Sequence, residues 1–273
     1  MSLVHKYSVM ISSLLLAVAL AGCSSGSVDT IVKDTEKATI GQGSGSGVTT
    51  TRTESVKADE FDSIVVDAEA MGIIVEPAAG NSAEIELVTD QAVEKQITFD
   101  AQVKDRELRV NVHEDKKWNA NKSGRGERKL VIKLPGKAYE HCSVSTAFGT
   151  VKASGIQAKS FDIEVNAGSI ETSGIIGEMK LHVTTGEIKV DGYKMDHNLT
   201  AQSEVGNIHI TLDESPAAGS VNLHSKVGSV TAAVDHITYD VDSANRKEGA
   251  FGPGGSSLEA DVEVGSIQVV MAR

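Results

Sequence analysis

The chain has 273 residues, a net charge of −12 at neutral pH, 40% hydrophobic residues and only 4% aromatic residues. The acidic balance argues against nucleic acid as a partner and against wide contact with anionic lipid, because both are negatively charged. The apolar content excludes a wholly disordered chain and allows one or two globular domains, whose cores must consist mainly of Val, Ile, Leu and Ala.

Residues 1–22 predict a lipoprotein signal peptide. Lys6 is basic, and Val9 to Leu20 is an apolar run too short to span a bilayer but typical of a secretory leader. The run ends in Leu-Ala-Gly-Cys, which resembles the lipobox of bacterial lipoproteins. This resemblance implies cleavage before Cys23, acylation of Cys23 with fatty acids such as palmitate, and an extracytoplasmic location on the cell membrane or the outer membrane. The alternative is an ordinary secretory leader that is followed by a cysteine by chance.

Residues 23–56 predict a flexible tether, because they are rich in Ser, Gly and Thr. The stretch GQGSGSG at residues 41–47 has glycines that could suggest a nucleotide-binding loop. However, no predicted strand precedes it and no predicted helix follows it, so the tether is the better interpretation.

Residues 57–135 predict an N-terminal β region that packs on or caps the part that follows, because their apolar residues alternate or are β-branched. Within this region the stretch 113–128 connects two predicted strands and contains the only tryptophan, Trp118, among cations that include Arg125. An aromatic ring among cations could bind a glycan or an acidic wall polymer. The alternative is a surface loop without a ligand.

Residues 136–273 contain a repeat with a period near 20. Six glycines mark it: Gly149, Gly168, Gly186, Gly206, Gly228 and Gly265. Their spacings are 19, 18, 20, 22 and 37 residues, and the doubled last interval predicts one turn without its glycine.

Residues at equal distances from these glycines share their chemistry. Apolar residues stand two places after each glycine: Val151, Ile170, Ile188, Ile208, Val230 and Ile267. Others stand seven places before it: Cys142, Phe161, Met179, Leu199, Val221 and Leu258. The place directly before the glycine is also mainly apolar, so we expect all three sets to point inward. The pattern predicts an all-β, single-stranded, right-handed β-solenoid with rungs of 18–22 residues, and the alternative is an antiparallel sandwich.

The phrases FDIEVNAGSIETSG and LHVTTGEIKVDG, after the hairpin region that ends in VIKLP, resemble the bacterial β-strand-repeat proteins known as putative adhesins. This family is a domain of unknown function. The resemblance covers roughly residue 61 to the end and implies a secreted or membrane-attached β-solenoid. It brings no established catalytic residue to any position of this chain.

Few side chains suggest chemistry. Cys142 shares the position of Phe161 and Met179, so burial is a better interpretation than a reactive thiol. Glu164 and His182 are expected one strand spacing apart on the outer face, where a polar ladder is a better interpretation than an acid/base pair or a metal site. Phe251 lies in a predicted surface loop, residues 243–257, that either binds a ligand or has none. The sequence therefore predicts no catalytic residue, no metal and no cofactor.

The predicted function is that of a lipid-anchored, non-enzymatic, adhesin-like protein that binds or scaffolds something in the cell envelope. Its expected partners are the membrane, through Cys23, and a cell-wall or surface glycan or an envelope protein. One alternative is an envelope-stress sensor or accessory protein that binds a membrane partner. Another is a polysaccharide-active β-helix enzyme, which would need acids and bases that converge in a groove.

Overall fold

The computed structural model describes residues 48–115 and 128–272. The predicted signal peptide, Cys23, Trp118 and Arg125 lie outside these residues. The described residues form two short 3-10 helices, Ala58–Glu60 and Glu94–Gln96, and fifteen strands. The strands are β1 Thr49–Lys57, β2 Ser63–Ala70, β3 Gly72–Pro77, β4 Ser82–Asp90, β5 Ile97–Lys104, β6 Glu107–Glu114, β7 Arg128–Leu134, β8 Ala138–Ser154, β9 Gln157–Ser173, β10 Ile176–Tyr193, β11 Leu199–Leu212, β12 Gly219–Ala233, β13 Thr238–Asp242, β14 Arg246–Gly252 and β15 Ser257–Met271.

Six long strands form the rungs of a β-solenoid, which confirms the predicted fold class. They pair in parallel in the order β8, β9, β10, β11, β15 and β12. The predicted apolar positions stack in register, so that Ile170, Ile188, Ile208 and Ile267 are neighbours and each is at most 1% exposed. The core is therefore a set of aliphatic columns that run perpendicular to the strands.

A glycine lies at the bend of each rung and divides it into a first arm before the glycine and a second arm after it. We call these six residues the corner glycines. Their φ angles lie between 137° and 153°, a region that side chains rarely allow. A Cβ atom on Gly186 would lie 1.7 Å from the carbonyl oxygen of Gly168, and the other stacked glycines are equally close to a neighbouring backbone. Only glycine permits both the angle and the contact.

The position directly before the corner glycine was expected to face inward, and this expectation is wrong. Phe148, Val205, Val227 and Val264 are 47–61% exposed. In β10 the buried residues on either side of Gly186 are Val183 and Ile188, which are five residues apart. Side chains on the same face of a regular strand are an even number of residues apart, so the alternation changes phase here. The chain therefore turns the corner over several residues that all lie outside the core.

The doubled interval between Gly228 and Gly265 does not contain an additional rung, so that prediction is also wrong. Instead, β13 and β14 form an antiparallel hairpin, and β14 pairs with the first arm of β12. The chain then returns, and β15 inserts between β11 and β12. The sequence repeat could not reveal this strand order, because residues at equivalent positions match each other whichever two rungs become neighbours.

The N-terminal β region continues the solenoid instead of forming a separate layer. Strands β2 and β3 together make a rung beside β8, since Ala70 pairs with Phe148 and Ile73 pairs with Val151. Strands β6 and β7 make the next rung, because β6 pairs with β2 and β7 pairs with β3. Antiparallel β5 and β4 flank this rung, and β1 pairs with β4.

The predicted tether extends to residue 56, but its last part forms a strand. Residues 49–57 form β1, an edge strand with nine residue pairs to β4. The threonines and Val56 of this stretch suit a strand, although its Ser and Thr content also fits a linker. Composition could not distinguish the two, because the partner strand lies more than 25 residues away in sequence.

Candidate functional site

The outer face of the first arms carries a shallow depression that we call the polar trough. Its two walls are the side-chain positions six and four places before the corner glycine. One wall comprises Ser143, Asp162, Lys180, Thr200, Glu259 and Asn222 in spatial order. The other comprises Ser145, Glu164, His182, Gln202, Asp261 and His224. Between the walls the inward-facing position forms the floor, which contains Ile163 and Leu181.

Two hollows in the trough join into one feature. The larger has a volume of about 230 Å³ and spans β8 to β11, and the smaller has about 180 Å³ and spans β11, β15 and β12. Thr200 and Gln202 of β11 line both of them. Because neighbouring strands are about 4.8 Å apart, the trough is roughly 24 Å long across its six strands. Its shape therefore suits an elongated partner.

The trough alternates acidic with basic or neutral rungs. Asp162 and Glu164 both project from β9, and Glu259 and Asp261 project from β15. Histidines lie next to these carboxylates. His224 Nδ1 is 3.0 Å from Asp261 Oδ2. Opposite charges on adjacent strands avoid repulsion between like rungs, and they leave both hydrogen-bond donors and acceptors at the surface.

The histidines do not form a shared ligand set. The sequence placed Gln202 between His182 and His224, and the inserted β15 adds Asp261, so three strand spacings separate the two imidazoles. Across residues 48–115 and 128–272, no group of three or more His, Cys, Asp or Glu side chains is placed to hold a metal ion. Glu164 and His182 do pair in register on β9 and β10, as the spacing predicted.

Cys142 lies in the core, 2% exposed, between the rungs of β2 and β9. Burial raises the pKa of its thiol from 9.0 to about 12, because the thiolate would lose its hydration. The thiol therefore stays protonated and unreactive at neutral pH.

The outer face of the second arms carries a ladder of ion pairs. Lys152 Nζ is 2.9 Å from Glu171 Oε2, and Lys189 Nζ is 2.9 Å from Asp191 Oδ2. The neighbouring Asp191 carboxylate raises the pKa of Lys189, chiefly through their hydrogen bond. These exposed pairs hold one another at the surface, as His224 and Asp261 do in the polar trough.

Phe251 has a packing role that the sequence interpretation missed. It lies in β14 and is half-buried against the hydrophobic core. The predicted loop 243–257 thus contains a strand, since β14 pairs with β12 on one side and β13 on the other. That this loop or the 113–128 stretch binds a ligand stays a prediction.

Sequence reasoning identified one wall of the trough but not the other. The wall four places before the glycine was recognised as an outward column that contains Glu164, His182 and Asp261. The wall six places before it has less obvious chemistry, because Ser143, Thr200 and Asn222 are small neutral residues. Two-residue alternation along the first arm was the available signal.

Among the described residues, no helix is long and apolar enough to cross a membrane.

Comparison with known proteins gives a family and a set of distant structural likenesses. Residues 138–270 match the family Toastrack DUF4097, and this range runs from β8 into β15. A putative cell adhesion protein from Clostridium sporogenes has a TM-score of 0.49 and 13% identity, covering 82% of this chain and 100% of its own. A putative adhesin from Bacteroides fragilis has a TM-score of 0.45 and 15% identity, covering 82% and 98%.

A third solved structure, a putative lipid binding protein from Parabacteroides distasonis, has a TM-score of 0.28 and 12% identity. It covers 84% of this chain and 98% of its own. No curated protein is similar enough to the chain to count as a match.

Proposed function

We propose that this chain, whose residues 138–270 match the family Toastrack DUF4097, is a lipid-anchored, extracytoplasmic solenoid that binds an elongated polar polymer of the cell envelope without catalysing a reaction. The polar trough is the observation that carries this proposal. It crosses six strands and repeats a polar lining on each, whereas sites for small molecules are usually enclosed and mostly apolar.

The lining favours a polymer that offers many hydroxyl and amide groups. Thr200, Gln202 and Asn222 can each donate and accept hydrogen bonds; the first two lie on β11 and Asn222 lies two rungs away on β12. The charged wall residues are four carboxylates and Lys180, so the lining is acidic overall and suits a polymer that is not strongly anionic. A glycan chain extended along the trough would meet a similar set of partners at every step of about 4.8 Å.

The lipid anchor is supported by the lipobox resemblance at residues 20–23 and by the Ser/Gly/Thr-rich stretch that follows Cys23. Two or more acyl chains hold a protein stably on a membrane, where one chain alone would not. A tether between Cys23 and the first strand would let the solenoid orient at the membrane surface with the trough accessible.

Purified peptidoglycan sacculi provide a direct test of binding. We expect the full chain to co-sediment with sacculi, and the double variant Lys180→Ala with Gln202→Ala to bind about tenfold or more weakly, because it removes donors from the centre of the trough. Lys189→Ala, on the outer face of the second arm, is the matched control and should bind like the wild type. A wild-type chain that does not sediment, or a double variant that binds normally, would contradict the proposal.

The non-catalytic part is tested with the same sacculi by assaying the release of soluble glycan fragments. We expect no release by the wild type or by Glu164→Gln. Release that is abolished in Glu164→Gln would show that the β9–β10 pair is an acid/base site, and the protein would then be an enzyme.

The anchor is tested by metabolic labelling with palmitate in a bacterial host. The wild type and Ser24→Ala should incorporate the label and fractionate with membranes, whereas Cys23→Ser should do neither. Equal labelling of Cys23→Ser would show that the cysteine is not the acylated residue.

A further inference from the structure

The bend of the solenoid forms an exposed apolar edge that we call the corner ridge. It consists of the positions two places before, one place before and one place after each corner glycine. In spatial order the central row is Phe148, Ala167, Thr185, Val205, Val264 and Val227. Its large side chains are 47–61% exposed, and the three valines lie on adjacent strands, so they form a continuous apolar strip.

Most large exposed hydrophobic side chains of the described residues lie at this end of the rungs. Besides the four on the ridge there are only Val48 and Ile176. Val48 directly precedes β1, which begins at the corner end of its sheet. The residue pairing shows this, because Thr51 pairs with Val88, Val88 with Lys129, and Lys129 with Gly72. Gly72 directly precedes Ile73, whose partner Val151 lies two residues after a corner glycine. The chain that leads back towards Cys23 therefore leaves the solenoid at the corner.

Charged side chains are about as frequent along the ridge as in the whole chain, where they make up 23% of the residues. Six rungs with three positions each give eighteen positions, and four of them are charged. These are Glu187, Glu204, Glu263 and Lys226. Lys226 Nζ lies 3.6 Å from Glu263 Oε2, which leaves Glu187 and Glu204 as the other acidic side chains. The row of exposed apolar side chains, and not a lack of charge, is therefore what distinguishes the ridge.

We propose that the corner ridge is the edge with which the solenoid contacts the membrane, with Phe148 and the three valines at the headgroup boundary of a zwitterionic bilayer. This inference rests on the proposed lipid anchor. The anchored chain enters the solenoid at the corner, which gives the ridge a high effective concentration at the lipid surface. A modest apolar strip is then sufficient for contact, although it would not recruit a free protein to a membrane.

A second copy of the chain fits the ridge less well than a bilayer does. Two ridges packed together would bring Glu204 and Glu263 of both copies into one interface, where like charges repel. A zwitterionic bilayer carries no net charge and avoids this repulsion. Contact through the ridge also leaves the polar trough open, because its nearer wall lies three residues away along each first arm.

Site-directed fluorescence can test this contact on the full lipidated chain. Val264→Cys places a label on the ridge, and Gln268→Cys, four residues later on β15, places a matched control on the exposed face of the second arm. Each variant is labelled with an environment-sensitive fluorophore and reconstituted into phosphatidylcholine vesicles. Cys142 is buried and Cys23 is acylated under the proposed function, so neither takes the label.

We expect the label at residue 264 to brighten about twofold or more on vesicle binding and to be quenched by spin-labelled lipid, while the label at residue 268 does neither. Vesicle-bound protein whose ridge label behaves like the control would overturn the ridge inference and leave the anchor standing. Protein that stays in the supernatant would overturn both. A ridge label that is already shielded without vesicles would show that a second copy covers the ridge, which also overturns the inference.

Discussion

At the scale of single residues, the absence of a side chain determines where each rung bends. The corner glycines stack directly on one another, and each lacks the Cβ atom that would enter the next backbone. Sequence spacing located all six, because glycine with a fixed neighbourhood is a strong signal. It could not show which way the residue before each glycine points. Phe148 and Val205 look like core residues by chemistry alone, and only the backbone path around the corner places them in solvent.

Gly186→Ala should destabilise the protein by about 3 kcal/mol or more, because a Cβ atom at φ 141° would lie 1.7 Å from the Gly168 carbonyl oxygen. Urea denaturation measures the loss. The matched control is Gly80→Ala, at a loop position with no atom within 4 Å of the added methyl group, which should stay within about 0.5 kcal/mol of the wild type. Similar stability of the two variants would contradict the stacked-glycine account.

Two buried serines at the same position of different rungs should respond oppositely to alanine. Ser203 lies between Val183 and Val262, and its Oγ atom has no hydrogen-bond partner among the described residues. Ser225 Oγ instead donates to the Gly265 carbonyl oxygen at 2.8 Å. Ser203→Ala should therefore raise the free energy of unfolding by about 1 kcal/mol, and Ser225→Ala should lower it by about 1 kcal/mol. Calorimetry at pH 7 that shows the same sign for both would refute this assignment.

At the scale of elements, the order of the strands differs from their order in the sequence. The C-terminal strand β15 has β11 on one side and β12 on the other, whereas β13 has only β14. The repeat predicted that β15 belongs to the stack, since Leu258 and Ile267 match the core columns. It could not predict the position of β15, because β11 and β12 present the same columns to any partner.

Hydrogen exchange should therefore be slower in β15 than in β13, although the end of a chain usually frays. Mass spectrometry of exchanged peptides that cover residues 257–271 and 238–242 makes the comparison. Faster exchange in the C-terminal peptide would show that β15 does not occupy the interior of the sheet in solution.

A second element-scale contact joins the start of β2 to two turns. Arg106 Nε is 2.5 Å from Asp62 Oδ2, and Lys137 Nζ is 3.5 Å from Asp62 Oδ1. The hydrogen bond from Arg106 is the main cause that lowers the pKa of Asp62 below 3.8. A depressed folded-state pKa gives stability above the unfolded pKa, and this stability is lost as pH falls through the folded pKa.

Asp62→Asn should therefore lower the melting temperature at pH 7, and the difference from the wild type should shrink as the pH falls below 3.8. Both groups are exposed, so the effect is small, and thermal scans at closely spaced pH values are needed. Asp240→Asn, at an exposed residue of the edge strand β13, serves as the matched control and should leave the melting temperature at pH 7 unchanged. A difference that grows at low pH would reverse the sign and contradict the assignment.

At the scale of the whole molecule, the N-terminal region and the repeats share one sheet. Strands β2 and β3 pair with β8 along both arms, so no break separates residues 57–135 from the rungs. The sequence predicted a region that packs on or caps the solenoid, because Met71 stands where the later rungs have a glycine. Without that glycine the repeat was invisible, and the long-range pairing of β6 and β7 had no local signal.

This continuity predicts a single cooperative unfolding transition for the chain. Differential scanning calorimetry should give one peak whose calorimetric and van't Hoff enthalpies agree. Two resolved peaks would indicate that the N-terminal rungs melt independently of the six long strands.

The insertion of β15 also has a consequence for biosynthesis. Residues 257–271 are synthesised after β11 and β12, so these two strands exist before the strand that separates them. Because β11 and β12 carry core residues at matching positions, a nascent chain can pair these two strands directly. This pairing leaves no place between them for β15. Completing the native order then requires that this premature pairing opens. A chain truncated before residue 257 lacks the strand that separates β11 from β12, so we expect these two strands to stay paired in it.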